Sequence, residues 1–285
     1  MKKRKIALYD IDSKIPNLVL MKLSAWHKKQ GDDVELYFPL KSYDKVYASQ
    51  IFTWSKPSYH YDVLGGSGTE KWNMILPDEI EHIMPDYSLY PNFDYAMGFT
   101  SRGCIRKCPF CIVNKKEGLI KEWSEIKEFW NGQKELMLLD NNILSAPNWK
   151  KVFNFLIDKK ITLIEHGLDI RLINKENANL ISKIRFKKQI HFAFDNIRTE
   201  KQVKKNIDIL KKVGVKPYKL MFYVLIGFDS TPEEDLYRVE LLRDLGVDPF
   251  VMPFDKTNQY QKRFSRWVNH KAIFKSVKWV DYKGK

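Results

Sequence analysis

From residue 94 to residue 252 the chain repeats one unit: a short run able to form a buried strand, then a stretch with apolar residues at helical spacing. Strands are predicted at 95–100, 135–139, 161–165, 189–194, 218–226 and 250–252. Between them Ile120, Trp123, Ile126 and Trp130 mark one helix face, and Trp149, Val152, Phe153 and Leu156 a second. Ala178, Ile181 and Ile184 follow an Asn174 cap, and Val203, Ile207 and Leu210 end at Gly214. The last helix has a full start signal, Thr231 as N-cap, Pro232 in the first turn and Glu234 closing a capping box, and it stops at Gly246. Six strands alternating with five helices call for parallel pairing through crossovers. Right-handed crossovers curl such a sheet into a parallel (β/α)6 partial TIM barrel over residues 94–255.

The remainder divides around this block. Residues 5–11 read as a buried strand, Leu18, Met21, Leu23, Ala25 and Trp26 as a partly helical face ending near Gly31, and 34–38 and 45–49 as further strands. This βαβ run predicts a small Rossmann-like α/β domain over 1–69, with Gly65-Gly66-Ser67-Gly68 as a turn. Residues 70–93, with Pro77, Pro85 and Pro91, read as a linker holding a short helix at 78–83. Residues 256–285 form a basic, aromatic C-terminal extension. From Asp255 onward there are nine Lys/Arg against two Asp, which is half of the chain's net charge of +14. Tyr260, Phe264, Trp267, Phe274, Trp279 and Tyr282 are interleaved with those cations. Two readings follow: single-stranded nucleic acid held by charge and stacking, or a helix whose aromatics cover the open side of the barrel. The spacing of Phe264, Trp267 and Lys271 favours the second.

A hydrophobic fraction of 44% with 14% aromatics excludes a disordered chain. No apolar run approaches the roughly 20 residues of a membrane span. The basic start, Met1 to Lys5, lacks a signal-peptide core, so a cytoplasmic location without membrane contact is expected.

All three cysteines sit in one loop, Cys104-x3-Cys108-x2-Cys111. Thiolates this close can serve an iron–sulfur cluster or zinc. A fourth cysteine does not exist, and no histidine lies between His82 and His166, so a zinc site with short ligand spacing is disfavoured. A disulfide would strain so short a loop. What remains is a cubane with three irons held by Cys104, Cys108 and Cys111 and one iron open. The alternative is a non-catalytic protein in which zinc braces a nucleic-acid surface.

This cysteine spacing, with Phe110 just before the last cysteine, resembles the signature of the radical S-adenosylmethionine (radical SAM) superfamily. The first segment is similar to the cobalamin-binding-like domain preceding many such barrels, here shortened. Asp-x-His-x-x-Gly is absent, because His27 is followed by Lys28-Lys29-Gln30-Gly31, so cobalamin is not expected. The resemblance implies an enzyme with a [4Fe-4S] cluster that cleaves S-adenosylmethionine and abstracts hydrogen from an unidentified substrate, RNA among the candidates. It implies an electron donor such as a flavodoxin or ferredoxin.

In parallel α/β barrels ligands sit at the carboxyl ends of strands. The polar residues there include Asp140, Asn142, His166, Asp169, Arg171, Asp195, Asn196 and Gly227. The resemblance implies that Phe110 and Met252 meet the adenine, that Asp140 and Asn142 receive the methionyl ammonium, and that Arg171 pairs with the carboxylate. It also implies that Asp195 meets the ribose and that Gly227 lies in the strand-end motif Leu225-Ile226-Gly227-Phe228. His166 and His191 read as structural histidines, and no catalytic residue is assigned on the substrate side.

Overall fold

The computed structural model describes residues 3–284. Met1 and Lys2 of the basic start and Lys285 of the C-terminal extension lie outside the described residues. The chain opens with β1 (Lys5–Asp10), whose Ile6, Ala7 and Leu8 are fully buried. It continues with α1 (Leu18–Lys29), β2 (Asp33–Leu36), β3 (Lys45–Ser49) and β4 (Val63–Gly65). Asn17 caps α1, its side chain accepting the Leu20 N–H at 3.3 Å. The four strands pair in parallel in the order β2-β1-β3-β4, one strand more than the periodicity predicts. His27 is buried on α1. Its Nδ1 meets Asp32 Oδ2 at 2.8 Å and its Nε2 meets the Tyr47 hydroxyl at 3.1 Å, so both ring nitrogens are committed inside the fold.

Then come α2 (Asp78–Glu81), β5 (Ala96–Gly98), β6 (Ser101–Arg102), α3 (Val113–Glu117), β7 (Lys121–Glu122), β8 (Glu135–Leu138), α4 (Trp149–Asp158), β9 (Thr162–Ile164), α5 (Lys175–Ile181) and β10 (Arg185–Phe186). The chain closes with β11 (Ile190–Ala193), α6 (Glu200–Lys212), β12 (Leu220–Ile226), α7 (Pro232–Asp244), β13 (Asp248–Pro253), α8 (Gln259–Asn269) and α9 (Lys271–Ser276). The result is a mixed parallel and antiparallel α/β architecture. The single barrel sheet predicted from sequence is split. One parallel sheet has the order β10-β9-β8-β5, a second the order β11-β12-β13, and β6 and β7 form an antiparallel pair. The two parallel sheets meet where the Leu168 N–H donates to the His191 carbonyl at 2.8 Å.

The helix predicted over Ile120–Trp130 does not form. In its place stand β7 and a single turn at Ile126–Glu128. Those apolar residues do have helical spacing, but β7 pairs with β6 and the Trp123 N–H donates to the Thr100 carbonyl at 2.9 Å. The tertiary pairing of the segment around the cysteine loop outweighs local periodicity.

One apolar core runs under the two parallel sheets, from Ala96 and Leu136 through Phe192 and Phe222 to Trp267 and Phe274. A second joins α1 and β1 to Met97 and Met137, so the first sheet packs against the second. On α7 the predicted capping box is present, Thr231 accepting from Glu234 N–H and the Glu234 carboxylate from Thr231 N–H. The same helix buries an ion pair, Arg238 with Asp235 at 2.7 Å. In the C-terminal extension Phe264 and Trp267 are fully buried and Phe274 nearly so. The extension therefore closes the core, and Phe264, Trp267 and Phe274 are not free to stack on bases.

No helix of the described residues is long and apolar enough to cross a membrane.

Candidate functional site

The cysteine loop is built around Gly103 and Glu117. Gly103 adopts a left-handed φ of +84°, and a Cβ there would collide with the Leu119 carbonyl oxygen, so only glycine fits. Glu117 is largely buried. Its Oε2 accepts the Gly103 N–H at 3.0 Å and Asn141 Nδ2 at 2.6 Å, and its Oε1 lies 3.1 Å from Arg102. Arg102 also faces Glu81 at 3.8 Å, and Glu81 takes the buried ammonium of Lys22 on α1 at 3.1 Å. Burial pushes the Lys22 ammonium below its ordinary pKa, with Glu81 opposing that shift. A chain of four alternating charges thus runs from the first sheet to the loop. Glu117 carried no motif; only its place after the loop hinted at a role.

The sulfurs do not gather. Cys104 Sγ accepts the Arg106 N–H at 3.3 Å and Asn142 Nδ2 at 3.5 Å. Cys108 lies within hydrogen-bonding reach of the Arg171 guanidinium. Burial pushes the Cys108 thiol up, Arg171 pulls it down, and the net shift is upward, away from thiolate. Among the described residues no group of three His, Cys, Asp or Glu side chains could hold a metal ion. This finding overturns the cluster predicted on Cys104, Cys108 and Cys111, and with it the [4Fe-4S] and S-adenosylmethionine cofactors. The radical SAM membership, the enzyme activity built on it and the zinc-braced alternative fall with them. The physical reason is local: Cys104 is answered by the Arg106 N–H and by Asn142, and Cys108 by the charge of Arg171. The flavodoxin or ferredoxin donor was expected only on the cluster's account.

Around these thiols the strand-end residues form a polar network. Asp169 receives Arg171 in a bidentate pair, Nε at 2.7 Å and Nη2 at 3.0 Å, and also Arg106 Nε at 2.9 Å. Burial raises the Asp169 carboxyl, but the hydrogen bonds and charges of Arg171 and then Arg106 outweigh it, and its pKa falls below the ordinary carboxylate value. Two guanidiniums thus share one carboxylate. Asp195, behind them, is pushed up by burial, with the Leu225 N–H bond at 2.9 Å and the Arg238 and Arg171 charges opposing.

A depressed carboxylate stabilises the fold in full above its unfolded pKa of about 3.9, and that contribution is lost as pH falls through the folded value. Asp169→Asn should therefore cost about 1–3 kcal/mol at neutral pH. The gap to the parent chain should close below about pH 4. Urea unfolding at a series of pH values checks this, and a gap independent of pH refutes it.

The other predicted site residues separate. Asp140 is buried and spends its carboxylate on Thr100 and Ser101, accepting both backbone N–H groups and both hydroxyls at 2.5–3.1 Å. Burial raises its pKa against those four donors. It fastens the strand into the loop and offers no oxygen outward. Asn142 lies between Cys104 and Asp169, and its Oδ1 is buried without a hydrogen-bond partner. Gly227 has a φ of +75° and packs against the Gln261 side chain of α8. Phe110 and Met252 are both exposed. Phe110 meets Phe228 edge-on at 5.5 Å, and Phe228 meets Phe254 at 4.9 Å. The row continues through Lys256, whose ammonium lies 5.1 Å over the Trp54 ring, to Phe52 stacked on Trp54 at 4.6 Å. Sequence reading gave a ring-binding role to Phe110 alone from this row, because the others come from three separate segments.

Two clefts line the far edge of the first sheet, about 610 Å³ beside Glu35, Phe38 and Lys41 and about 310 Å³ beside Tyr9, Tyr37 and Tyr59. Neither includes a residue of the network around Asp169.

Compared with known proteins, the chain matches no protein-family model, no curated protein and no solved structure.

Proposed function

We propose that this chain binds single-stranded RNA at the carboxyl edge of its parallel sheets, with bases on the exposed aromatic row and phosphates on the neighbouring cations. In this reading the two parallel sheets act as one curled sheet, the partial (β/α)6 barrel, preceded by the small Rossmann-like unit. The observation that carries the proposal is the row itself: Phe110, Phe228, Phe254 and Trp54 are all exposed, with Phe110 against Phe228, Phe228 against Phe254 and Lys256 over Trp54. Exposed rings in series with Lys256 among them are what a flexible polyanion with flat bases requires. Two guanidiniums on one carboxylate leave a positive charge for a phosphate. The net charge of +14 favours a polyanion over a neutral ligand.

The test is a fluorescence anisotropy titration of labelled oligouridylate and oligoadenylate, with AMP as a separate arm. Binding should be measurable at about 50 mM salt and fall steeply by about 200 mM, as counterion release demands. Phe228→Ala should weaken it by about 1–3 kcal/mol, the stacking of one base. Absence of binding at the lower salt defeats the reading, and binding of AMP without the oligonucleotides reduces the site to a mononucleotide pocket.

A further inference from the structure

His191 and Glu165 form a pair that the network around Asp169 does not use. Glu165 follows β9, and its Oε1 accepts the His191 N–H at 2.7 Å and faces His191 Nδ1 at 2.9 Å. Its other oxygen, Oε2, is buried and has no hydrogen-bond partner. A pair serving only to join β9 to β11 would be expected to satisfy both oxygens, because a buried unpaired acceptor costs about 1–3 kcal/mol. The Glu165 side chain is only 6% exposed, so water does not relieve that cost.

The surroundings point the same way. Along β11 and β12 the alternate residues Ile190, Phe192, Phe222 and Val224 face the core, which puts His191 and Tyr223 on the opposite face. The Tyr223 ring stacks on His191 at 5.6 Å and 23°, and Phe250 meets Tyr223 edge-on at 5.9 Å. Phe250 and Met252 are exposed on β13. An uncovered apolar face with one oriented imidazole in it is the form of a ligand site.

We propose that His191 is a proton-transfer residue with Glu165 as its positioning residue, acting on a hydroxyl group of a ring-bearing ligand laid against Tyr223, Phe250 and Met252. Glu165 holds the proton of the neutral imidazole on Nδ1, which leaves Nε2 as the base. Nε2 takes the hydroxyl proton, the O–H bond breaking as the N–H bond forms, to give an alkoxide and an imidazolium paired with the carboxylate, and return of that proton from Nε2 to the same oxygen restores the neutral pair. No electrons change hands and no co-reactant is needed. The proposal stands without the RNA reading, although a ribose hydroxyl would satisfy both.

The experiment needs no ligand. The full-length chain is treated with diethyl pyrocarbonate, which acylates an unprotonated imidazole nitrogen, and peptide mass mapping gives the rate at each histidine. His60, 77% exposed, is the internal standard. His191, at 14% exposure, should react at least as fast as His60. Glu165→Gln should slow it about tenfold or more, since the carboxylate no longer fixes the tautomer. Long-range 1H–15N spectra of the parent chain should place the His191 proton on Nδ1. A His191 that stays unreactive while His60 is acylated, or that carries its proton on Nε2, overturns the proposal even if the variant does not fold. Neither readout moves with RNA affinity, so the two readings fail separately.

Discussion

Replacing Arg238 with methionine should lower the free energy of unfolding by about 3–5 kcal/mol, the cost of leaving a buried carboxylate without its counter-charge. Arg238 and Asp235 are 0% and 1% exposed. The guanidinium donates to Asp235 at 2.7 Å, to the Phe194 carbonyl at 2.9 Å and to the Leu225 carbonyl at 3.0 Å. It therefore ties α7 to the ends of β11 and β12 as well as neutralising one charge. Methionine fills much of the volume but supplies none of the three donors. Asp235 already sits above the ordinary carboxylate pKa, because burial outweighs Ser230 and Arg238. In the variant it would take up a proton on folding. A double variant that also replaces Asp235 with leucine should recover part of the loss, since an apolar pair avoids the unpaired charge. Urea unfolding followed by tryptophan fluorescence checks both, and an Arg238→Met loss below about 1 kcal/mol would show the pair to be dispensable.

Trp267→Ala should cost a comparable amount, about 3–5 kcal/mol, by removing the largest fully buried side chain from the core. Its ring packs against Phe274 at 4.9 Å, Trp279 at 5.4 Å and Phe264 at 5.5 Å. Its Nε1–H donates to the Val277 carbonyl at 2.9 Å. The cavity would open where α8, α9 and the body of the sheets meet, and Val277 would lose its partner. Calorimetry should show a lowered Tm with one transition retained, because the extension shares its core with β13 and α7. A separate, earlier transition confined to the C-terminus would contradict that shared core.

These two sites also mark what could be read in advance. The capping box at Thr231 and Glu234 and the Gly246 stop placed α7 well, because caps are local chemistry written in a few adjacent residues. The strand at β12 was as plain, an unbroken apolar run, and in the fold every second residue of Leu220–Ile226 is buried. The helix face from Ile120 to Trp130 misled because Lys121 and Glu122, inside it, pair with β6, a partner some twenty residues upstream. The cysteine spacing misled for a related reason. Spacing says that three sulfurs are near one another along the chain, but Arg171, Asn142 and the Arg106 amide decide where two of them point. Two of those partners lie on other strand ends. The shared Asp169 of Arg106 and Arg171 was half visible, since Asp169 and Arg171 are two residues apart and Arg106 is not. The aromatic row was invisible, assembled from residues near 54, 110, 228 and 254.

The ionic chain of Lys22, Glu81, Arg102 and Glu117 has a consequence for how this molecule could be dissected or rearranged. Cutting away the first seventy residues would strip Lys22 from Glu81 and leave two acids against one arginine. The opening segment therefore behaves as a keystone for the cysteine loop, and neither piece should be transplantable as a stand-alone cassette.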